Sequence, residues 1–487
     1  MPGRMRTISR HEPARPGPRL VAVLLYAAAA LFYLVFSAQL LVKTPPYAGL
    51  DEPFHWQRVL QIAQGHFLAE ELGPNAWGGP IDRASYLHML YYVELIQKHA
   101  PVDAAQARAL SDHLATLPPR DEVVPFPSSA SFAPLAYLPQ AAFTAAARAW
   151  GLAPLDQMHA GRIGNAVVYG LMVLAVLWAL PGGRLVFAAL ALSPFALQSA
   201  CSLSADPLNL TVPALLLALV WRFRARGTPL GGWEVAGLLV LSAALGFLKL
   251  TMAPFAAAVV YLPGAVAGGE RWRIGGRIAL TALCLGLALG IALSWNMAYP
   301  FVPGPYWGTA ADPAAQIAAM RADPLETLRI FATTTRDWAI MWWRDGYGRY
   351  GGHPPPWSGY ADDRLILAAL WVLPALALCD GARRRDPVIG VGYLLPAPAY
   401  VLLVMAAFWV GFTPVGADMV LGLQGRYFLP AQVLVVLALA AAAGPWTPAG
   451  LRHGLRLGLF ALFMALNGAV LLDVLAAWEA LWVRRAA

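Results

Sequence analysis

Long apolar runs separated by short polar stretches fill most of this sequence of 487 residues. A helix that crosses the hydrocarbon core of a bilayer needs about 20 mostly apolar residues and must satisfy its own backbone hydrogen bonds. Runs of this length, rich in alanine and leucine, therefore predict membrane-spanning α-helices. About eleven candidate spans are found, at residues 20–42, 163–180, 185–201, 208–221, 235–248, 252–266, 278–297, 365–378, 388–410, 427–443 and 455–475.

The composition supports the same class of protein. Hydrophobic residues make up 59% of the chain and charged residues 13%, which is too apolar for a water-soluble surface. We therefore predict an all-α, polytopic membrane protein with a single transmembrane domain at residues 20–475, a basic tail at 1–19 and a short tail at 476–487. The net charge is +8, but its arginines cluster in short loops between apolar runs, so no nucleic-acid partner is predicted.

The arginine clusters also predict an orientation, because short loops rich in arginine favour the cytoplasmic side. The first apolar run is too long for a cleaved signal peptide, so the N-terminus is expected in the cytoplasm. Residues 43–162 and 298–364 then form two long outer segments. The run at 132–150 leaves two interpretations open. As an interfacial or re-entrant helix it keeps the arginine loops inside, which we favour, and as a twelfth span it places them outside.

The first outer segment begins with the stretch AGLDEPFHWQRVLQIAQG. Pro53 suits the first turn of a helix, with Glu52 in the capping position and Asp51 just outside. Apolar residues recur at helical spacing, which predicts an amphipathic helix lying flat on the outer leaflet. Asp51, His55 and Arg58 share its other side, where an ionised carboxylate suits a general base. Asp51 and Glu52 are the catalytic candidates, and helix capping with a surface ion pair is the alternative.

Three basic residues stand near the outer ends of predicted spans. Arg426 lies in the motif QGRYFLP, where a guanidinium can fork onto a lipid phosphate, with Gln424 and Tyr427 beside it as supporting groups. Lys249 and Arg162 are further candidates for contacts with the phosphate. The alternative for all three is an interfacial cation that extends to the headgroups.

The remaining candidates lie in other outer segments. Asp206, in the motif SADP, either caps the next helix or holds the acceptor or its base. Arg344 and Arg349 lie among many aromatic residues and are candidates for contacts with sugar hydroxyls or phosphate, although an aromatic belt explains most of the rings. Asp323 and Pro324 predict the start of another amphipathic helix. The histidines show no metal spacing, so no metal or other cofactor is predicted as required.

Three of these motifs, DEPFH, CSLSADPLN and QGRYFLP, resemble in their order and expected outer placement the GT-C superfamily of polytopic glycosyltransferases, and within it a bacterial family of unknown function. The resemblance covers residues 20–475 and implies a GT-C fold in the bacterial cytoplasmic membrane with its active site on the periplasmic or extracellular side. It further implies that Asp51 orients or deprotonates an acceptor hydroxyl, which expels a polyprenyl phosphate with inversion. Some superfamily members use a metal held by a second acidic residue, whose place is similar to that of Asp206. We do not predict such a metal for this chain.

The sequence thus predicts an inverting glycosyltransferase with a polyprenyl-phosphate-linked sugar donor and a glycan, lipid or protein acceptor. A transporter or lipid flippase is the alternative, but ionisable groups here gather at one interface rather than at mid-membrane depth. A scaffold without chemistry is a third. The enzymatic hypothesis requires Asp51 and Arg426 to share one pocket.

Overall fold

The computed structural model describes residues 18–262, 273–352, 355–381, 385–443 and 449–482. Most of the predicted basic tail, the end of the sixth predicted span and the last five residues lie outside these ranges. The α-helices, α1 to α20, are Pro18–Lys43, Glu52–Ala63, Arg83–Gln97, Ala104–Ala115, Pro127–Ala130, Leu138–Ala149, Pro154–Ala179, Arg184–Ala191, Pro194–Ala200, Asp206–Arg226, Gly232–Leu248, Arg273–Ala298, Pro303–Tyr306, Pro313–Ala322, Pro324–Gly348, Asp363–Cys379, Pro387–Leu394, Pro396–Gly411, Leu429–Ala442 and Ala449–Ala480. Further 3-10 helices cover Pro134–Tyr137, Leu250–Tyr261 and Gly425–Phe428.

Seven helical segments among the described residues are long and apolar enough to cross a membrane, judged by length and composition. They coincide with seven of the predicted spans and are Val23–Lys43, Pro154–Ala179, Asp206–Arg226, Ile274–Ala298, Pro387–Gly411, Gly425–Ala442 and Arg452–Ala480. The other predicted spans correspond to shorter elements, namely the pair α8 and α9, α11, the 3-10 helix Leu250–Tyr261 and α16. The mostly helical, polytopic class is therefore established, while the count of eleven spans stays a prediction.

Proline divides two of the predicted spans. Pro194 begins α9 shortly after α8 ends at Ala191, and Pro396 begins α18 shortly after α17 ends at Leu394. A proline lacks the N–H that continues a helix, and its ring disfavours the helical conformation of the residue before it. Each of these two spans is therefore two shorter helices in series.

Contacts between loops distinguish the two ends of the helical bundle. At one end the carboxylate of Asp380 accepts from the first turn of α8, and Arg224 pairs with Asp386 at 2.8 Å. At the other end the backbone N–H of Val102 donates to the carbonyl of Leu481 at 2.7 Å, which joins the first outer segment to the end of α20. The described arginine loops and the two long segments thus lie at opposite ends, and their sides of a membrane stay a prediction.

The first outer segment contains a small sheet that the all-α prediction lacks. Strands β1 (Glu70–Gly73), β2 (Ala76–Asp82) and β3 (Asp121–Pro125) pair in that order, with both pairings antiparallel. In the same segment α6 packs along α7. It has 12 residues, about 18 Å of helix, which is too short for a hydrocarbon core of about 30 Å. This length favours the interpretation in which residues 132–150 do not span.

Helix α2 lies inside the protein, so its predicted position flat on a leaflet is wrong. Trp56 on its apolar side and Arg58 and Gln61 on its polar side are all buried. Arg58 donates to the carbonyls of Phe67 and Phe132 at 3.1 Å each. Because Arg58 and Gln61 donate to backbone carbonyls instead of water, the polar side of the helix can be buried as well.

The second outer segment is built on α14 and α15, followed by the two-stranded sheet of β4 (Arg349–Tyr350) and β5 (Gly359–Tyr360). The start of α15 is as predicted, because the Asp323 side chain accepts from the N–H of Glu326 at 2.9 Å and Pro324 is the first helical residue. This helix ends at Gly348 and packs against the 3-10 helix Gly425–Phe428, which precedes α19.

Candidate active site

Four charged side chains from distant parts of the chain meet at the end of the bundle that carries the two long segments. Asp51 precedes α2, Asp206 begins α10, Lys249 links α11 to the next 3-10 helix, and Arg426 lies just before α19. Nη2 of Arg426 donates to Oδ2 of Asp51, while Nη1 lies 3.7 Å from Oδ2 of Asp206. Nζ of Lys249 lies 4.0 Å from the other oxygen of Asp206. The two carboxylates and two cations therefore form one network, the charged network.

Burial differs across the charged network. The Arg426 side chain is 6% exposed, that of Asp206 17%, that of Lys249 24% and that of Asp51 40%. A buried guanidinium needs partner charges, and both carboxylates supply them. Nε of Arg426 has no hydrogen-bond partner among the described residues. Arg426 therefore retains a donor for one more acceptor.

The backbone of Asp51 has the left-handed conformation, with φ 54° and ψ 17°. This conformation costs a non-glycine residue roughly 1–3 kcal/mol, although aspartate tolerates it better than most. Asp51 is the N-cap residue of α2, yet its side chain makes no capping hydrogen bond and reaches Arg426 instead. Backbone strain of this kind concentrates at functional sites.

Glu52 and Arg162 form a separate ion pair that is fully buried, with Nη2 and Oε2 2.6 Å apart. Glu52 also accepts from the N–H groups of Gly49 and Leu203, so it does not cap α2 as predicted. Burial acts to raise the pKa of Glu52, but Arg162 outweighs it and the pKa lies below its usual value. The predicted catalytic role of Glu52 and phosphate-binding role of Arg162 need an access that neither side chain has.

Asp206 occupies the site rather than a helix cap. Its side chain makes no capping bond to α10, whose N-cap residue is Ala205. It pairs with Arg426 and Lys249 and accepts from Nδ2 of Asn209 at 3.3 Å. The capping alternative for Asp206 is therefore wrong, and its role in holding the acceptor or its base stays a prediction.

His55 lies beside the charged network as a neutral side chain. It is buried, and its Nδ1 lies 2.8 Å from the hydroxyl of Tyr137. Burial lowers the pKa of His55 to about 4 and raises that of Tyr137, so the phenol is protonated and can donate to Nδ1. Arg58, predicted on the same side of α2, is bound to backbone carbonyls and does not join this group.

A close backbone contact positions Arg426. A Cβ on Gly425 would meet the carbonyl oxygen of Trp342 at 1.9 Å and the backbone nitrogen of Gly346 at 2.3 Å. The ring of Trp342 also stacks on Phe428, with centroids 4.4 Å apart. Only glycine permits this approach of the QGRYFLP motif to α15, which fixes the backbone on which the guanidinium stands.

The ring of Tyr427 lies beside both cations of the charged network. The guanidinium carbon of Arg426 is 5.1 Å from the ring centroid and Nζ of Lys249 is 5.7 Å from it. The hydroxyl of Tyr400 donates to the Tyr427 carbonyl at 2.6 Å, and Phe408 packs against the ring at 5.0 Å. Tyr427 thus lies against both cations, and its supporting role in phosphate binding stays a prediction.

The charged network faces a cavity of about 1490 Å³. This volume exceeds the roughly 300–1,000 Å³ typical of small-molecule pockets. Three amide side chains at its wall have an oxygen without a hydrogen-bond partner in the described part of the chain, namely Gln57, Asn209 and Gln424. Unpaired carbonyl oxygens at a cavity wall call for a ligand with hydroxyl or N–H donors.

One side of the cavity is an apolar groove, the lateral groove. Its floor is the start of the 3-10 helix Leu250–Tyr261, which packs between α12 and α18. A 3-10 helix of 12 residues is unusually long, since runs of more than 3–4 residues are uncommon. Apolar residues from these elements, from the end of α11 and from the loops after α12 and α18 line the groove, among them Phe247, Leu250, Met252, Trp295, Phe301, Leu403, Val404, Phe408 and Phe412.

Arg344 and Arg349 do not line the cavity. Arg344 pairs with Asp363 at 2.6 Å and stacks on Tyr360, and Arg349 lies 3.8 Å from Asp345. The predicted sugar contacts of both arginines would need access to the cavity, which these ion pairs do not give them. Their geometry instead stabilises the junction of α15 with β5 and α16.

Sequence reasoning missed most of the cavity wall, including the two amide side chains of Asn209 and Gln57. Asn209 follows Asp206 by three positions on a helix, so a shared face was a usable signal. Gln57 was assigned to the water-facing side of an interfacial helix, and the same pattern gave no sign that this side would be covered by protein. Among the described residues, no group of three or more His, Cys, Asp or Glu side chains is placed to hold a metal ion.

The fold and the site define a polytopic, largely helical membrane protein in contact with the lipid bilayer, with one large polar and apolar cavity at one end. A family model described as "Predicted membrane protein (DUF2142)" matches residues 34–435, which is most of the chain. The chain belongs to this family. No curated protein and no solved structure matches the chain.

Proposed function

We propose that this protein is an inverting glycosyltransferase of the bacterial cytoplasmic membrane that uses a polyprenyl-phosphate-linked sugar at the outer face. The observation that carries the proposal is the junction of the lateral groove with the charged network. An apolar groove that ends at Arg426 and Lys249 suits a ligand with a hydrocarbon chain and an anionic head. A carboxylate at the same junction suits an acceptor hydroxyl.

The donor phosphate would bind at Arg426, with Lys249 as the second cation. Negative charge grows on the phosphate as the glycosidic bond breaks, so cations fixed in a buried site stabilise the transition state more than the ground state. The unpaired oxygens of Asn209 and Gln424 would accept hydrogen bonds from sugar hydroxyls. The hydrocarbon chain would lie in the lateral groove.

Donor binding would also prepare the base. Asp51 occupies the Nη2 donor of Arg426, so an incoming phosphate would compete with this carboxylate for the guanidinium. Once the phosphate has taken Arg426, Asp51 loses a charge partner and becomes a better proton acceptor. Asp206 keeps Arg426 and Lys249 in place meanwhile.

The chemical step then needs only these groups. Asp51 accepts the proton of the acceptor hydroxyl. At the same time the hydroxyl oxygen of the acceptor attacks the anomeric carbon from the face opposite the phosphate. The bond between the anomeric carbon and the phosphate oxygen breaks, and its electron pair leaves with the polyprenyl phosphate. The new glycosidic bond has inverted configuration, and the proton remains on Asp51 until product release.

A lipid flippase is the second candidate, because the lateral groove also suits a lipid that crosses the bilayer. A flippase needs a path along the bundle. In the part of the chain that the structure describes, the residues at the opposite end, such as Asp380 and Arg224, do not line the cavity. Glycosyl transfer therefore remains the better supported function.

The test is transfer by the purified protein in lipid nanodiscs, supplied with a radiolabelled polyprenyl-phosphate sugar and bacterial envelope extract as acceptor. Arg426→Ala should lower transfer by at least about 100-fold, as for loss of an oxyanion-stabilising donor. Arg344→Ala is the matched control, an outer arginine in an ion pair outside the cavity. Equal activity of the two variants, or lipid translocation without a new glycosidic bond, would overturn the proposal.

A further inference from the structure

The cavity has a second arm, which runs along α3. Six residues of this helix line it, at the spacing of one helical face: Tyr86, Met89, Leu90, Val93, Ile96 and Gln97. Phe54 and Gln57 of α2 and Ser128 form the rest of its wall near Asp51. This α3 arm is separate in sequence from the elements that form the lateral groove.

The α3 arm has a polar end and an apolar length. Near Asp51, Oε1 of Gln57 and Oγ of Ser128 have no hydrogen-bond partner among the described residues, and Gln57 is only 6% exposed. Along α3 the wall is made mostly of alkyl, thioether and aromatic groups, with the Tyr86 hydroxyl and the Gln97 amide as its polar groups, and Leu90 is 37% exposed. An unpaired buried amide indicates a hydroxyl or N–H ligand, and an exposed apolar stripe indicates a hydrocarbon.

We propose that the α3 arm binds the acceptor and that this acceptor is anchored to a lipid. Its hydroxyl-bearing head lies at Asp51 and Gln57, and its hydrocarbon lies on the apolar face of α3. This assignment rests on the proposed function, because only glycosyl transfer makes the bound hydroxyl an acceptor. A soluble glycan would find few hydrogen-bonding groups along α3, whereas a hydrocarbon covers this face without leaving polar groups unpaired.

The charges near the lateral groove and near the α3 arm differ in sign, which agrees with a different lipid head group in each. The lateral groove ends at the cations Arg426 and Lys249, which suit an anionic head. The α3 arm reaches the charged network at Asp51, which is its most exposed carboxylate, and a carboxylate disfavours a phosphate. The two arms therefore select different head groups at one meeting point.

The experiment uses alkyl glucosides with methyl, octyl and dodecyl chains, each with a photoreactive diazirine, on the full-length protein in nanodiscs. Labelled peptides are located by mass spectrometry. We expect labelling of residues 83–97 by the octyl and dodecyl probes, with little labelling by the methyl probe. Leu90→Glu should lower this labelling about tenfold, because a carboxylate replaces an apolar contact.

Leu72→Glu is the matched control, since Leu72 is equally exposed at 37% in the same outer segment and does not line the cavity. Leu90→Ala serves as a milder variant, and binding of polyprenyl phosphate to each variant checks that the protein is folded. Labelling that ignores chain length, or that Leu72→Glu lowers as much as Leu90→Glu, overturns the proposal.

Labelling and transfer are measured separately, so the two proposals can fail independently. Chain-dependent labelling of α3 without transfer to any glucoside would leave the arm as a lipid site and count against the transferase. Transfer that is equally efficient with methyl and dodecyl glucosides would keep the transferase and overturn the lipid-anchored acceptor.

Discussion

Asp51 and Arg426 are 375 positions apart in the sequence and in contact in the structure. In the proposed reaction the same guanidinium must bind the donor phosphate, so the aspartate is both base and competitor. Removal of its charge should therefore act on binding and on chemistry in opposite directions.

Asp51→Asn should bind polyprenyl phosphate several-fold more tightly than the parent protein, because a neutral amide competes less for Arg426. Transfer by the same variant should fall by about 10²–10⁴, the usual contribution of a general base. Equilibrium binding in nanodiscs and the transfer assay give the two numbers. Asp345→Asn is the control, since Asp345 pairs with Arg349 outside the cavity. Weaker lipid binding by Asp51→Asn would mean that the carboxylate supports the donor.

Acid should destabilise the fold through two buried histidines. Burial lowers the pKa of His55 to about 4 and that of His88 to about 3, while an unfolded histidine titrates near 6.5. Between these values the unfolded chain binds more protons, so stability falls as the pH falls from about 6.5 to about 4, by up to about 1.4 kcal/mol per pH unit for each histidine. Thermal unfolding across this range measures the slope, which His55→Asn should reduce. An unchanged slope would show that His55 does not titrate this way.

At the scale of elements, one methyl group added at Gly425 should disturb the contact between the QGRYFLP motif and α15. Gly425→Ala places a Cβ against the Trp342 carbonyl, and such overpacking costs roughly 1–3 kcal/mol. The shift should also weaken polyprenyl phosphate binding, because it moves Arg426. Gly290→Ala on α12 is the control, as no atom lies within 4 Å of its added Cβ. Normal lipid binding by Gly425→Ala would contradict this positioning role.

The ion pair of Glu52 and Arg162 should stabilise the fold and take no part in catalysis or lipid binding. Glu52→Gln leaves a buried guanidinium without its charge partner, which typically costs roughly 3–5 kcal/mol, and adding Arg162→Met should recover part of that loss. Thermal unfolding of the single and double variants completes the cycle. The double variant should still bind polyprenyl phosphate, since neither side chain lines the cavity. A stable Glu52→Gln protein that loses transfer would restore a catalytic role for Glu52.

Apolar runs and helix-start residues predicted those helices that depend on neighbouring residues in the sequence. Long apolar runs located α1 and α12, and a capping residue with a first-turn proline located the start of α15. The sheet of the first outer segment was missed because its strands are short and β2 contains adjacent glycines, which weaken a strand signal. The burial of α2 was missed because its polar side is satisfied by carbonyls such as that of Phe132, far along the chain.

Part of the site was predictable for the same reason. Asp51, Lys249 and Arg426 all lie at expected outer ends of spans, and helices that share one end bring them together. Arg58 and Arg162 carry a similar signal but are held by other partners. A cation near the end of a span has the same sequence pattern whether it faces a cavity or a neighbouring carboxylate, so only the tertiary packing separates the two.

For the whole molecule, the cavity is the organising feature. The long 3-10 helix Leu250–Tyr261 lies between α12 and α18 and opens the bundle sideways, while α2 and α3 close it above with their own apolar and amide groups. Because the lateral groove and the α3 arm are lined by different elements, the proposed donor and acceptor can arrive from different directions. In the proposed reaction, both lipid ligands would stay in the bilayer until they meet.

The long separation of Asp51 from Arg426 also bears on biosynthesis. A ribosome has delivered most of the polypeptide before Arg426 emerges. Nascent chains that stall earlier hold the Asp51 carboxylate without this cation, and by the proposed mechanism they would not consume donor lipid. Two fragments divided between Leu262 and Arg273 should each be inert, and coexpression of both should restore turnover. Activity in the first fragment alone would show that the later helices are dispensable.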